Sequence, residues 1–265
     1  MSGRSGTSRV GRLHRLWLVA AALLGGCAAP PSRAPLDVHV YLGPEGEGRH
    51  AVVLLPGRCD EPLDFARHGF VDELRRVHPE ADVFIPYAHL SYYLDRSIVQ
   101  RLREDVFRPL RARGYRRIDV VGVSMGGLGA LLYLRNHPSD VDGLMLIAPY
   151  LGDAALMARL RAADSPAGWA AVSAPARQSA LGLSKLWGWL GRWPDDAPKI
   201  PVRLGFGRDD RFAPASRMLA EVLPEDAVLS TDGGHRWVVW RRLWHQTLSE
   251  GRFPGDVGRH AANRQ

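Results

Sequence analysis

Three polar residues far apart in the chain, Ser124, Asp210 and His235, are of the types that together turn a hydroxyl into a nucleophile. Ser124 lies in Gly122-Val-Ser-Met-Gly126, entered from a run rich in β-branched residues and left through a small-residue, Leu-rich stretch. The pattern reads as strand, tight turn and helix, with a strained serine at the apex and its hydroxyl presented. Gly122 and Gly126 let strand and helix approach without a Cβ between them. The N–H groups opening such a helix favour negative charge nearby. A serine hydroxyl is a poor nucleophile near neutral pH; it needs a base, a group to orient that base, and donors for the oxyanion. Asp210, in Gly207-Arg-Asp-Asp-Arg-Phe-Ala-Pro214, follows an apolar run at 202–206 and is placed to orient. His235, after Gly233-Gly234, follows a second run at 227–230 and opens a closing helix, where a base is needed. The order Ser124, Asp210, His235 suits acyl transfer on a strand-turn-helix serine. Each residue also has a plainer reading: a turn serine, a surface acid and a helix-terminal histidine.

The elements that must hold these residues alternate. Strands are expected at 38–42, 51–55, 82–86, 118–123, 143–148, 202–206 and 227–230, and helices at 70–77, 97–113, after Ser124, and 235–248. Continuous apolar runs such as Ala51-Val-Val-Leu-Leu55 suit strands buried on both faces. Strands alternating with helices predict an α/β fold with a mainly parallel central sheet and helices on both faces. Residues 151–199 break the rhythm and predict a small helical insertion over the end of the sheet. Its Trp187, Trp189 and Trp193 suit either a wall of an acyl- or aromatic-binding cleft or packing against the core.

At this point the chain resembles the α/β-hydrolase superfamily, over about residues 38–250. Four motifs carry the resemblance: Leu55-Pro-Gly-Arg-Cys-Asp60, Gly122-Val-Ser-Met-Gly-Gly127, Gly207-Arg-Asp-Asp-Arg-Phe-Ala-Pro214 and Gly233-Gly-His-Arg-Trp237. The resemblance implies Ser124 as nucleophile, His235 as general base and then acid, and Asp210 as its orienter. It implies backbone N–H donors for the oxyanion at Arg58 and Met125. Where many relatives have His-Gly in the first loop, this chain has Pro56-Gly57, which loosens the placement of Arg58. Asp210 is preferred to Asp209 because the family's glycine lies three residues before it and a proline four after. Asp209 stays open, as does Asp153 at an acid position used by some relatives.

The N-terminus reads as an address. Four arginines precede the apolar run 16–24, too short for a comfortable membrane span, and Leu24-Gly-Gly-Cys27 resembles the lipobox of bacterial lipoproteins. By that resemblance residues 1–26 are a signal peptide, Cys27 is lipidated, and residues 27–36 are a tether. The hydrolase domain is then 37–255, with a tail at 256–265. The expected address is the cell envelope, anchored in the membrane through Cys27, with an outer membrane favoured where the source has one. With Cys27 lipidated, Cys59 is expected to be an unpartnered thiol, and no disulfide supports the fold.

The formal charge of +7 misleads, because without residues 1–26 the balance is 31 basic against 28 acidic, or +3. No nucleic-acid partner is implied. No metal-binding spacing stands out, and neither a metal nor a cofactor is expected. The expected protein is therefore a monomeric serine hydrolase that cleaves carboxylic esters, with a small-molecule or lipid ester as substrate. Thioester or amide hydrolysis, acyl transfer to an alcohol, and a non-catalytic envelope binding protein are the alternatives.

Overall fold

The computed structural model describes residues 29–44, 50–163, 165–169, 181–196 and 199–256. The signal-peptide segment, Cys27 and most of the expected tail lie outside the described residues.

Seven strands form one sheet: β1 (Val38–Tyr41), β2 (His50–Leu55), β3 (Asp82–Pro86), β4 (Arg117–Val123), β5 (Gly143–Ile147), β6 (Val202–Gly207) and β7 (Val228–Thr231). Their order across the sheet is β1-β3-β2-β4-β5-β6-β7; β1 runs antiparallel to β3, and every other pairing is parallel. Strands β2, β3 and β5 are buried along their whole length. Their side chains alternate between two apolar clusters, one on each face of the sheet, which explains their unbroken apolar sequences. The fold is the expected α/β architecture.

Connections supply the helices: α1 (Pro62–Arg67), α2 (Phe70–Val77), α3 (Leu90–Leu94), α4 (Ile98–Leu102), α5 (Arg108–Ala112), α6 (Met125–Asn136), α7 (Ala154–Arg161), α8 (Leu183–Leu190), α9 (Trp193–Asp196), α10 (Ala213–Ala220) and α11 (Trp237–Ser249). The helix expected at 97–113 is there, but a π-turn at Arg103–Phe107 joins α4 to α5. Helices α1, α3 and α10 were not expected. Short length hides α1 and α3 from a periodicity reading, although Pro62 at the first position of α1 and the Glu61 N–H bonded to Asp64 (2.8 Å) are start signals.

The insertion contributes α7, α8 and α9. Trp187 and Trp193 are buried, and Trp189 is partly buried. The Trp187 indole donates to Leu151 O (2.7 Å) and meets Trp169 edge-on at 4.9 Å. Of the two roles open to these tryptophans, Trp187 and Trp193 take the packing one. One expectation is corrected outright: Cys59 is disulfide-bonded rather than an unpartnered thiol. Sequence reasoning left it unpartnered by assuming lipidation of Cys27. Among the described residues, no helix is long and apolar enough to cross a membrane.

Candidate active site

Parallel strands deliver their carboxyl ends to one edge of the sheet, and the strand order decides which loops meet there. Because β2 and β4 are neighbours, with Leu55 opposite Gly122, the loop after β2 lies against the turn after β4. Because β6 and β7 are neighbours, with Gly207 opposite Thr231, the loops carrying Asp210 and His235 are adjacent.

Ser124 sits between β4 and α6 with φ +53° and ψ −113°, a conformation that L-residues rarely adopt. Its N–H is bonded to Ile147 O (2.9 Å), while its carbonyl accepts from Gly127 and Tyr150 (3.0 and 2.9 Å). The surroundings therefore hold the turn on both sides. A Cβ on Gly126 would come within 2.0 Å of Leu55 O, and one on Gly122 within 2.5 Å of Gly126 O. Both glycines are required by close backbone approach, as their spacing predicts.

The structure brings Ser124, His235 and Asp210 into one hydrogen-bonded line. His235 Nε2 lies 2.8 Å from Ser124 Oγ, and His235 Nδ1 lies 2.7 Å from Asp210 Oδ2. The other oxygen of Asp210 accepts the Phe212 N–H (2.8 Å), and the side chain is 1% exposed. With both oxygens engaged and water excluded, the carboxylate fixes the imidazole plane and holds the proton on Nδ1, which leaves the Nε2 lone pair facing the serine. Phe212 and Trp240 pack edge-on against the imidazole at 4.9 and 4.8 Å. His235 lies two residues before α11 rather than at its first turn.

The two rival acids are elsewhere. Exposed Asp209 accepts the Gly233 N–H (3.1 Å), and Asp153 caps α7 by accepting from Leu156 N (2.8 Å). Both make local turn or cap contacts.

Met125 is the first residue of α6, where backbone N–H groups have no acceptor inside the helix. On the other side, a Cβ on Gly57 would lie 3.4 Å from the Ser124 Cβ, so the loop carrying Arg58 lies against the serine. The Gly57 N–H is already spent on Asp60 Oδ2 (3.1 Å).

Sequence reasoning missed Asp60. Its carboxylate holds the Gly57 amide with one oxygen and accepts the Trp237 indole N–H (3.1 Å) with the other. It thereby ties the first loop to the start of α11. Burial pushes its pKa above the ordinary carboxyl value, opposed by the bonds from Trp237 and Gly57 and by nearby His235. An aspartate three residues after a glycine was visible, but its partner lies 177 residues away. Tyr150 stands edge-on to Phe212 at 5.1 Å, and burial raises its pKa. His68 stacks on Trp237 (4.5 Å), and His89 is buried beside Tyr87 and Tyr92. Neither is in the line of three.

Comparison with known proteins agrees with the architecture. Residues 95–201 match the family model described as alpha/beta hydrolase fold, a stretch that contains Ser124 but neither Asp210 nor His235. A curated mouse (Mus musculus) protein named serine hydrolase BPHL is 23% identical over 133 residues, 47% of this chain and 44% of that protein. The chain thus spans less than half the length of this curated relative. Among solved structures, a ferulic acid esterase superposes with a TM-score of 0.57 at 16% identity, covering 84% of this chain and 94% of its own. A monoacylglycerol lipase from Paleococcus ferrophilus gives 0.56 at 16% identity, covering 83% and 99%. An S-formylglutathione hydrolase from Agrobacterium tumefaciens gives 0.54 at 17% identity, covering 83% and 91%. Sheet order, strained serine turn and these likenesses together identify the architecture of the chain as the α/β-hydrolase fold.

Proposed function

We propose that the protein is a serine hydrolase that cleaves carboxylic esters through an acyl-enzyme on Ser124. The observation that carries this reading is the continuous line from Asp210 through His235 to Ser124, at 2.7 and 2.8 Å. His235 Nε2 takes the proton of Ser124 as Oγ attacks the acyl carbon. The negative charge on the former carbonyl oxygen is met by the N–H groups of Met125 and Arg58. The imidazolium, steadied by Asp210, then protonates the departing alkoxide, and the acyl group stays on Oγ. A water gives its proton to His235 in the second half-reaction and releases the acid, restoring Ser124. Desolvation by Phe212 and Trp240 strengthens each of these charge interactions.

A fluorophosphonate probe tests the reading directly. The wild-type protein should be labelled at Ser124, and Ser124→Ala should take up none while keeping its thermal transition. Failure of the folded wild-type protein to label sinks the proposal. Turnover of an ester and a thioester sharing one acyl group ranks the leaving groups.

Anchoring through Cys27 is a separate proposal, supported by the small residues before that cysteine, and it holds only for a chain in which the disulfide at Cys59 has not formed. A thioether at Cys27 leaves its sulfur unable to pair with Cys59. Intact-mass measurement of the protein from membranes should give a chain beginning at Cys27 with added acyl mass. A mass matching an unacylated chain two hydrogens short excludes the lipid and favours a disulfide.

A further inference from the structure

At the opposite edge of the sheet, where the parallel strands begin, two buried histidines and their acids form a second cluster. His50 opens β2, and its Nε2 lies 2.8 Å from Asp119 Oδ2 on β4, a wholly buried carboxylate that also takes the Arg117 guanidinium (2.9 Å). His78 ends α2 and is wholly buried. Both of its ring nitrogens are without a hydrogen bond. Its Nε2 is 3.2 Å from Asp256 Oδ1 but off the line of a hydrogen bond, and its Nδ1 is 3.8 Å from Glu80 Oε1. The two rings stand edge-on with centroids 5.9 Å apart, and one ligand atom each from His50, His78 and Glu80 falls within 4.8 Å of the others.

We propose that His50, His78 and Glu80 bind a divalent transition metal, zinc by donor type, in a structural site remote from Ser124. Two imidazoles and a carboxylate, with water in the fourth position, make a zinc donor set. Each histidine has a carboxylate at Nε2, Asp119 for His50 and Asp256 for His78, and His78 Nδ1 faces Glu80. A carboxylate behind a metal-bound imidazole fixes its tautomer and raises its basicity. A metal also gives the buried His78 ring a directed bond, where its two carboxylate neighbours make no hydrogen bond to it. Zinc–nitrogen bonds of about 2.0–2.1 Å place tetrahedral ligands roughly 3.4 Å apart, so the three atoms must draw in by about 1.4 Å at most. Glu80 has a side chain 47% exposed, and its carboxylate already faces His78 Nδ1 at 3.8 Å. The ion would tie the first residue of β2 to the turn between α2 and β3, and through Asp256 to the C-terminal segment. Residues 50 and 78 lie on different elements, so no local spacing betrays the site.

The inference is independent of the serine chemistry, because its test reads binding and stability rather than turnover. The full-length protein is stripped with EDTA, dialysed and titrated with zinc chloride by calorimetry, with thermal unfolding followed in parallel. The expected result is one zinc per chain and a higher transition temperature on loading. His78→Asn should abolish that binding. Since a buried substitution can impair folding, Glu80→Gln is the second variant. It should weaken zinc at least tenfold and reduce the rise in transition temperature on zinc loading. Absence of saturable binding in the wild type overturns the proposal. Wild-type affinity in Glu80→Gln or His78→Asn overturns it equally, since other histidines would then hold the ion.

Discussion

Replacing Asp210 by Asn tests the relay most sharply, because the two contacts of the carboxylate dictate how the amide must sit. Asp210 Oδ1 accepts the Phe212 N–H and Oδ2 faces His235 Nδ1, so both neighbours of the carboxylate can be donors at once. An asparagine has one acceptor. If its oxygen stays on Phe212, its NH2 faces Nδ1, which must then become an acceptor. The ring proton moves to Nε2, and His235 can no longer take the serine proton. If the amide flips, the useful tautomer returns, but NH2 meets the Phe212 N–H in a site where the side chain is 1% exposed. That leaves a buried donor unpaired, at about 1–3 kcal/mol, and loss of the charge-assisted bond to the imidazolium costs about 1.5–3 kcal/mol more. The total, about 2.5–6 kcal/mol, corresponds to a fall in kcat/KM of roughly 10² to 10⁴ at 1.36 kcal/mol per decade. Asp209→Asn is the control: its carboxylate accepts one exposed N–H, which an amide oxygen also accepts, so the loss should stay below about threefold. Both variants are compared by steady-state hydrolysis of a chromogenic ester, with thermal unfolding to show that each is folded. Retention of activity within tenfold by Asp210→Asn, or a larger loss in Asp209→Asn, refutes the assignment of the acid.

Three further outcomes follow from the geometry. Asp60→Asn should leave either the Gly57 N–H or the Trp237 indole facing an NH2, costing about 1–3 kcal/mol of stability and lowering kcat/KM while phosphonate labelling persists. Because burial raises the Asp60 pKa in the folded state, its ionisation opposes folding. That contribution to stability is full below the ordinary carboxyl pKa and is lost as pH rises through the raised value, a slope that thermal unfolding against pH should find missing in Asp60→Asn. An unchanged slope argues against the buried carboxyl as its source. Trp187→Phe should remove the bond to Leu151 O and lower stability by about 1–3 kcal/mol without altering KM for short- or long-chain esters. A rise in KM confined to long acyl chains would instead make this tryptophan a wall of the cleft.

The chain order of Ser124, Asp210 and His235, and the glycines around the serine, were legible from sequence because each motif is local. A strained strand-to-helix turn needs small residues at fixed offsets, whatever surrounds it. The strands were legible because burial on both faces demands continuous apolar runs, and β3 coincides with the expected element from Asp82 to Pro86. Helix α10 was hidden by the neighbouring acid-loop motif, which drew residues 207–214 into a loop, whereas a helix begins at Ala213.

Residue pattern by itself determined the kind of layers, the elbow and the shortlist of reacting groups. Only the tertiary structure decided between Asp209 and Asp210 as the neighbour of His235, because a one-residue step in a turn reverses which carboxylate points inward and leaves composition unchanged. It alone placed Asp60 beneath the first loop and His78 beside Glu80 and Asp256, and it alone put Trp187 and Trp193 in the core. The contacts of Asp60 with Trp237 and of His78 with Asp256 join segments far apart in the chain. Their energies depend on distance and desolvation in space, quantities that local spacing does not encode.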